Sequence, residues 1–358
     1  MIKLYAALET ALAVIRQQQR EWHVDLHLIG SQPHGVVVDP IRPQRVYCGT
    51  FDQGLWLSDD AGASWQHVAA GISSEHVTSV AVSPLERVNG ASVVYAGTEP
   101  SALFRSENGG STWQDLAALR QLPSASTWSF PPRPSTHHVR WITPDPVVAG
   151  RIFAAIEAGA LIRSHDGGQT WEDRQPDGPL DTHTLLMHPQ VPNHLYSAAG
   201  DGFLQAGAGF AESHDGGNTW FRPGEGLHHH YLWGAAADIA DPSTLVISAA
   251  SSPMTAHHDA QAESVLYRRS GNGSWKRVEA GLPPARGMLA SVLATHQDEP
   301  GVFILCCEQP GHLSLQRRGR QLGAVTYSLA CQCANGPYHG ARPGTGVIAV
   351  ERWAVTHG

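Results

Sequence analysis

The sequence is poor in cysteine, in positive charge and in long apolar segments, and each shortage excludes a class of protein. Its five cysteines are an odd set without a Cys-x-x-Cys pair, so they indicate neither a disulfide framework nor a zinc site. The formal net charge is −8. Since attraction to phosphate backbones and anionic lipids needs a basic surface, this charge argues against nucleic-acid and membrane partners.

The beginning of the chain is not expected to act as a targeting signal. Its apolar stretch, residues 4–15, is interrupted by Glu9 and lacks a small-residue cleavage pattern. The stretch is also too short to cross a bilayer. We therefore expect a cytoplasmic protein without a signal peptide or transmembrane segment.

Glycine and proline, in contrast, are frequent, with 37 and 24 copies in 358 residues of which 42% are hydrophobic. This composition favours many short strands joined by turns over long helices. The sequence therefore predicts an all-β protein.

An eight-residue pattern recurs along the chain and ends each time in tryptophan. Its copies are Ser58–Trp65, Ser106–Trp113, Ser164–Trp171, Ser213–Trp220 and a degenerate fifth that ends at Trp275. The tryptophans are 48 to 58 residues apart, a period that fits one four-stranded blade of a repeat protein. We call these segments the eight-residue repeats.

The chemistry of the eight-residue repeats predicts a tight turn. An Asp or Asn accepts backbone N–H bonds, the following Gly takes a positive φ, and the Trp anchors the hairpin in the core. We therefore assign a structural role to the acids and tryptophans of the repeats. These residues are Asp60, Trp65, Trp113, Asp166, Trp171, Asp215, Trp220 and Trp275.

Two further elements accompany each repeat and predict strands. One is a short run such as Val46-Tyr47-Cys48-Gly49 or Val94-Tyr95-Ala96-Gly97, and the other is an apolar run that ends in a turn, such as residues 36–40. With the two arms of the repeat hairpin, each period then has four strands, which make one blade of a β-propeller.

The eight-residue repeats resemble the Asp-box, or BNR, repeat of the sialidase-like propeller superfamily and of bacterial YVTN-type repeat proteins. The resemblance implies a seven-bladed β-propeller with four-stranded blades, in which the repeats are the hairpins between the third and fourth strands. The ring would be closed by N- and C-terminal strands, with residues 346–350 as the best closing strand. The expected blades span about residues 1–30, 31–70, 71–120, 121–178, 179–226, 227–282 and 283–308 onward.

The C-terminal segment 309–358 lacks the repeat signature. Codons for residues 306–324, read one nucleotide later, can encode another eight-residue repeat in the expected place. We therefore hypothesise that residues 1–308 are one propeller domain and that 309–358 is an atypical, frameshifted segment, which could still supply the closing strand. The gene sequence tests this hypothesis.

Histidine is unusually abundant, with 21 copies. Many stand in the connections that lead into the innermost strands, so we expect them near the central axis, on the face opposite the repeats. Imidazole can act as a ligand, a proton carrier or a hydrogen-bond donor. The ligand-binding candidates are His34, His76, His138, Arg140, Trp141, His183, His230, Tyr231, Trp233, His257, His258 and Asp259.

Two classes of function remain open. The preferred one is a non-catalytic propeller that binds a small molecule, glycan or protein through the face opposite the repeats, and the repeat pattern is also similar to that of the photosystem assembly-factor family. The alternative is a glycoside hydrolase with acids in the central funnel, for which Glu75, Asp181, Asp259 and Glu263 are candidates.

Neither class comes with an identified cofactor. The sialidase resemblance implies three arginines on the substrate carboxylate, and that set is missing, so sialidase activity is not expected. No cofactor is predicted. A metal on the histidine-rich face is an alternative without a fixed spacing, such as His-x-His, to support it.

Overall fold

The computed structural model describes residues 3–18, 21–133, 135–280, 282–295, 299–309, 312–318, 325–330 and 348–350. These residues form seven antiparallel sheets. The first sheet contains β1 Lys3–Ala7, β2 Leu12–Gln18 and β3 Glu21–His27. The second contains β4 Pro33–Val38, β5 Val46–Thr50, β6 Leu55–Ser58 and β7 Gln66–His67. The third contains β8 Val77–Val88, β9 Ala91–Thr98, β10 Leu103–Ser106 and β11 Gln114–Asp115.

The remaining sheets follow in chain order. The fourth sheet contains β12 Val139–Pro144, β13 Ile152–Ile156 and β14 Ala160–Ser164, and the fifth contains β15 Thr182–Met187, β16 Leu195–Ala199 and β17 Phe210–Ser213. The sixth contains β18 Tyr231–Ala237, β19 Leu245–Ala250, β20 Ser264–Arg269 and β21 Lys276–Val278. The seventh contains β22 Val292–Thr295, β23 Phe303–Gln309, β24 His312–Arg318 and β25 Val325–Ala330. The last strand, β26 Ile348–Val350, pairs antiparallel with β1 and completes the first sheet.

Helices are few in the described part of the chain. It has one short α-helix, Pro253–His257, and the 3-10 helices Ala117–Gln121, Pro123–Thr127, Gly200–Phe203 and Asp259–Gln261. None of its helices is long and apolar enough to cross a membrane. The predicted all-β architecture is confirmed.

The strand count differs from the prediction in two sheets. The sheets of β12–β14 and β15–β17 have three strands among the described residues, and single bridges, Arg163 with Glu172 and Glu212 with Phe221, stand where a fourth strand was expected. Pro176 and Pro223 follow these bridges closely. Because proline cannot donate to a strand ladder, the outermost strand ends after one pair.

The innermost strands follow one another around the molecule. In the order β26, β4, β8, β12, β15, β18 and β22, each contacts the next, and β22 contacts β26. Their neighbours in the sheets, such as β5 and β13, are buried along their whole length. This burial on both faces explains why the second strands read as continuous apolar runs.

Three of the eight-residue repeats are turns closed by their own aspartate. In the first copy the Asp60 carboxylate accepts hydrogen bonds from Ser64 N–H at 2.8 Å and Ser64 Oγ at 2.6 Å, and Ser58 Oγ accepts from Gly62 N–H at 2.7 Å. The copies with Asp166 and Asp215 repeat these bonds, and Asn108 takes the acid's place in the second copy. The turn is therefore encoded within eight residues.

The repeats also join neighbouring sheets. Tyr47, fully buried in β5, donates its hydroxyl to the carbonyl of Gly109, which belongs to the repeat of the following sheet, at 3.0 Å. A Cβ on Gly62 would overlap the ring of Tyr5 in the preceding sheet, and Gly62 has a φ of +84°. Glycine here thus permits both the turn and the close packing between sheets.

We expect Asp215→Ala to lower the free energy of unfolding by about 1–2 kcal/mol, because the bonds to Thr219 and Ser213 are lost as in a removed helix cap. Urea denaturation measures this loss. Asp177→Ala, which removes an exposed acid outside the repeats, is the control and should change little. Equal losses in the two variants would contradict the structural role of the repeat acid.

The strand register separates the two ends of each sheet. In β12–β14, Ser164, which opens a repeat, pairs with Ile152 at one end, while Val139 pairs with Ile156 at the other. We call the first the repeat end. The other, where His34, His76, His138 and His183 stand at or just before the innermost strands, is the histidine end.

Part of the C-terminal segment 309–358 lies in strands, since β24 and β25 extend the seventh sheet and β26 pairs with β1. Residues 310–311, 319–324, 331–347 and 351–358 lie outside the described residues. Much of the recoded repeat of the frameshift hypothesis falls on these positions, so the hypothesis stays a prediction.

Candidate functional site

Five innermost strands begin with a β-bulge at the histidine end. The register shifts by one residue between Pro33 and Gly35, and similar shifts recur in β8, β12, β15 and β18. A bulge leaves its additional residue out of the ladder and turns that side chain in a new direction. The residues concerned are His34, Thr78, Arg140, His183 and the pair Trp233 and Gly234.

Two bulge residues meet a carboxylate at this end. Glu157, which follows β13, accepts a hydrogen bond from Nε2 of His138 at 2.7 Å through its Oε2. Nε of Arg140 lies 3.7 Å from the same oxygen, and Nε2 of His183 lies 3.9 Å from Oε1. Glu157 is only 7% exposed. A buried anion is thus surrounded by cationic or hydrogen-bonding partners from two sheets.

Aromatic rings complete this group. The guanidinium of Arg140 lies over the ring of Trp233 at 4.5 Å, a cation–π contact. The ring of His257 lies 4.2 Å from that of Trp233, and its Nε2 is 3.0 Å from the Tyr231 hydroxyl. We define the inner cluster as His138, Arg140, Glu157, Asp181, His183, Tyr231, Trp233 and His257.

The pKa values of the two acids of the inner cluster are shifted in opposite directions. Burial alone would raise the pKa of Glu157, but the surrounding imidazoles and guanidinium outweigh it and hold the pKa well below its usual range. Burial raises the pKa of Asp181, and the carboxylates of Glu157 and Asp201 raise it further. Glu157 therefore stays ionised when Asp181 takes up a proton.

Burial also keeps imidazoles of this end uncharged. It lowers the pKa of His257 to about 3. It lowers the pKa of His34 to about 3 as well, with a further contribution from His138. Both rings are neutral at physiological pH and serve as hydrogen-bonding and stacking groups.

A second group of rings lies beside the inner cluster. Phe51 stacks between His34 and His76, with ring centroids 5.2 and 4.3 Å away. Arg133 lies over Phe51 at 5.4 Å and pairs with Glu99 at 2.5 Å. The Arg133 side chain is 33% exposed, so this group reaches the surface.

Six of the predicted ligand-binding residues lie outside the inner cluster. His34 and His76 belong to the second group of rings, and the other four lie elsewhere. Trp141 follows the bulge residue Arg140 and faces the neighbouring sheet, where its Nε1 donates to the Leu185 carbonyl at 3.1 Å. His230 accepts from the backbone of Gly207 at 3.3 Å. His258 ends the short α-helix, and Asp259 is exposed. The acid candidates Glu75 and Glu263 are exposed and also lie outside the cluster.

Sequence reasoning missed Glu157, Glu99, Arg133 and Phe51. Three of them share a position that a repeat alignment shows: Phe51, Glu99 and Glu157 each stand four residues after the aromatic residue of their second strand. The second strand ends there at the histidine end, so the next side chain meets the start of the innermost strand. Position relative to the repeat, rather than residue type, was the available signal.

Three ligand atoms of the inner cluster converge. One ligand atom each from Glu157, Asp181 and His183 lies within 4.8 Å of the others. The Asp181 side chain is 24% exposed, while His183 is 1% exposed. The group is thus anchored in the core and open on the Asp181 side. It offers one imidazole and two carboxylates to a proton or a cation.

Comparisons with known proteins identify the fold. No protein-family model and no curated protein sequence matches the chain. Among solved structures, an ancestral GH74 enzyme is similar with a TM-score of 0.61 at 18% identity, covering 83% of this chain and 38% of that enzyme. The GH74 xyloglucanase from Xanthomonas campestris gives 0.61 at 16% identity, covering 82% and 45%.

A third similar structure is not a GH74 enzyme. YCF48 bound to D1 peptide is similar with a TM-score of 0.54 at 15% identity, covering 81% of this chain and 80% of that protein. The chain spans less than half the length of the two GH74 enzymes. At these identities the likeness concerns the fold and leaves activity open. Together with the seven antiparallel sheets, it shows that the chain has a β-propeller fold.

Proposed function

We propose that this chain is a seven-bladed, non-catalytic β-propeller that binds an extended peptide segment of a partner protein at its histidine end. The ring would be one domain running from β1 to β26, with the eight-residue repeats as Asp boxes. Closure is supported by the pairing of β26 with β1 and by the contacts of β26 with β4 and β22. Closing a ring removes exposed strand edges.

The state of the carboxylates argues against hydrolysis. A glycosidase needs two carboxyl groups that flank the bond to be cleaved, one as acid and one as base or nucleophile. Glu157 and Asp181 are close enough, and their pKa values diverge. However, Glu157 is buried and its Oε2 is occupied by His138. A polysaccharide could reach Asp181 but not its partner.

The buried tryptophan and tyrosine rings of the histidine end argue against a glycan ligand. Sugar rings stack on exposed aromatic faces, whereas Trp128, Tyr231 and Trp233 at the histidine end are buried. Their exposure is 5%, 5% and 3%. Their rings already contact histidine and arginine side chains inside the protein, so they are not available to a sugar.

The observation that carries the proposal is an exposed apolar group at the histidine end. Phe203 is 51% and Leu204 90% exposed, just after β16. Leu180 is 40% exposed, and its N–H donates to the carboxylate of Asp201, in the same 3-10 helix as Phe203. Met254, also exposed, lies at this end of the next sheet. Exposed apolar groups beside polar side chains mark protein-binding surfaces.

The neighbouring structure YCF48 is bound to a peptide, which supports the same class of ligand by analogy of fold. An extended segment could lay apolar side chains on Phe203 and Leu204. Its polar groups could then reach Asp181 of the inner cluster and Arg133 of the second group of rings, which are both partly exposed.

Peptide selection tests the proposal. Peptides are selected from a random phage-displayed library on the wild-type protein, and their affinities are measured by fluorescence polarisation. We expect F203S/L204S to weaken binding at least about 10-fold, because removal of central apolar anchors costs about 1.4 kcal/mol or more. The matched control I41S/V147S removes exposed apolar side chains from the repeat end and should leave binding unchanged.

Three results would contradict the proposal. One is a selection that yields no binding peptide, and another is a set of peptides insensitive to F203S/L204S but sensitive to the control. The third is release of reducing sugar from xyloglucan by the wild type and not by D181N, which would favour the hydrolase instead. The melting temperatures of all variants are measured alongside.

A further inference from the structure

His183 is oriented as metal-ligating histidines are. Its Nδ1 lies 2.6 Å from the backbone carbonyl oxygen of Leu232. Since a carbonyl only accepts, Nδ1 carries a proton, and Nε2 is the ring atom left to bind a cation. A backbone carbonyl on the other ring nitrogen is the usual outer partner of a histidine that binds metal.

Nε2 of His183 faces two carboxylates at distances too long for hydrogen bonds. It lies 3.6 Å from Oδ2 of Asp181 and 3.9 Å from Oε1 of Glu157. A lone pair opposite two carboxylate oxygens is repulsive unless a cation or a proton lies between them. The edge of a tetrahedral zinc site, for metal–ligand bonds of 2.0–2.2 Å, is about 3.4 Å. Shifts of a few tenths of an ångström would bring these two pairs to that spacing.

The two carboxylates are also held by their outer oxygens. Glu157 uses Oε2 to accept from His138 at 2.7 Å, and Asp181 uses Oδ1 to accept from the N–H of Ala158 at 2.8 Å. Oε1 and Oδ2 are thereby turned inward. Carboxylates that ligate metals are oriented in this way.

The surroundings suit one cation with an open coordination position. Two carboxylates within 4.8 Å and a single nearby guanidinium, Arg140, leave a local excess of one negative charge when the imidazoles are neutral. Gly200 closes one side, where a Cβ would overlap the Asp181 carboxylate. The exposed part of Asp181 leaves the other side open to water.

We propose that His183 Nε2, Glu157 Oε1 and Asp181 Oδ2 bind one divalent transition-metal cation. Imidazole with two carboxylates suits Zn²⁺, and three protein ligands leave a fourth position for water or for a group of a bound peptide. The site does not depend on peptide binding, so a negative metal titration leaves that proposal untouched.

Metal titration of the full chain tests the site. The protein is treated with a chelator, dialysed, and titrated with Co²⁺ followed by visible absorption, and with Zn²⁺ in competition with a chromophoric chelator. We expect one tight site per chain and a tetrahedral Co²⁺ spectrum. Asp181→Asn keeps an acceptor for Ala158 but removes the ligand oxygen, and should weaken Zn²⁺ binding by at least about 100-fold, beyond the loss typical of an outer partner.

The control is Asp201→Asn, which changes a neighbouring carboxylate that bonds to the backbone of Leu180 and Asp181 instead of facing the site. This variant should bind Zn²⁺ as tightly as the wild type. The wild type should also gain melting temperature with Zn²⁺, a measurement that needs no variant. Equal Zn²⁺ affinity of wild type and D181N, or no rise in melting temperature, would overturn the proposal.

Discussion

Replacing Glu157 by glutamine is expected to lower the free energy of unfolding by about 3–5 kcal/mol, the range seen when one partner of a buried ion pair is removed. The reason is Arg140, which is 3% exposed and has Glu157 as its nearest carboxylate. Glutamine keeps the shape of the side chain but not its charge. The guanidinium is then left buried without its nearest counter-charge.

A matched exposed pair gives the control. Arg163 and Glu172 are 2.5 Å apart, and the Glu172 side chain is 47% exposed. Because water screens such a pair, Glu172→Gln should cost less than about 1 kcal/mol. Both variants are compared by urea denaturation. Similar small losses would mean that the inner cluster is not a coupled set of buried charges.

The protein is expected to lose stability steadily as the pH falls from about 6.5. His34 and His257 have folded pKa values of about 3, while the unfolded values are near 6.5. Between these limits the unfolded chain binds more protons than the folded chain. Stability therefore rises with pH across this window, by up to roughly 1.4 kcal/mol per pH unit for each histidine, and is lost on acidification.

Urea denaturation at several pH values between 4.5 and 7 measures this slope, and H34N/H257N should flatten it. His165→Asn, which changes a histidine whose side chain is 50% exposed, should leave the slope as it is. Asp181, with a raised pKa, contributes a slope of the opposite sign in every variant, so the comparison isolates the histidines. An unchanged slope in H34N/H257N would show that neither ring is kept neutral by burial.

The repeats could be predicted because their interactions are local. All the partners of the Asp60 carboxylate, Ser58 and Ser64, lie within the same eight residues. The all-β class follows from composition for the same reason. The loss of the outermost strand near Pro176 could have been suspected from the prolines, since proline ends a ladder.

The inner cluster could be predicted only in part because its contacts join distant positions. His138 and His183 were found from their place before or in innermost strands, but Glu157, which joins them, carries no motif of its own. Arg140 and Trp141 are adjacent, and a bulge of one residue decides which of them faces the cluster. Periodicity alone does not locate a bulge.

The pairing of β26 with β1 has a consequence for synthesis on the ribosome. Leu4 and Val350 are partners in one ladder although nearly the whole chain separates them. The first sheet therefore lacks its inner strand until translation has reached residue 350. During this time the free backbone groups of β1 are an edge on which another nascent strand could pair, which makes slow translation a risk for aggregation of this protein.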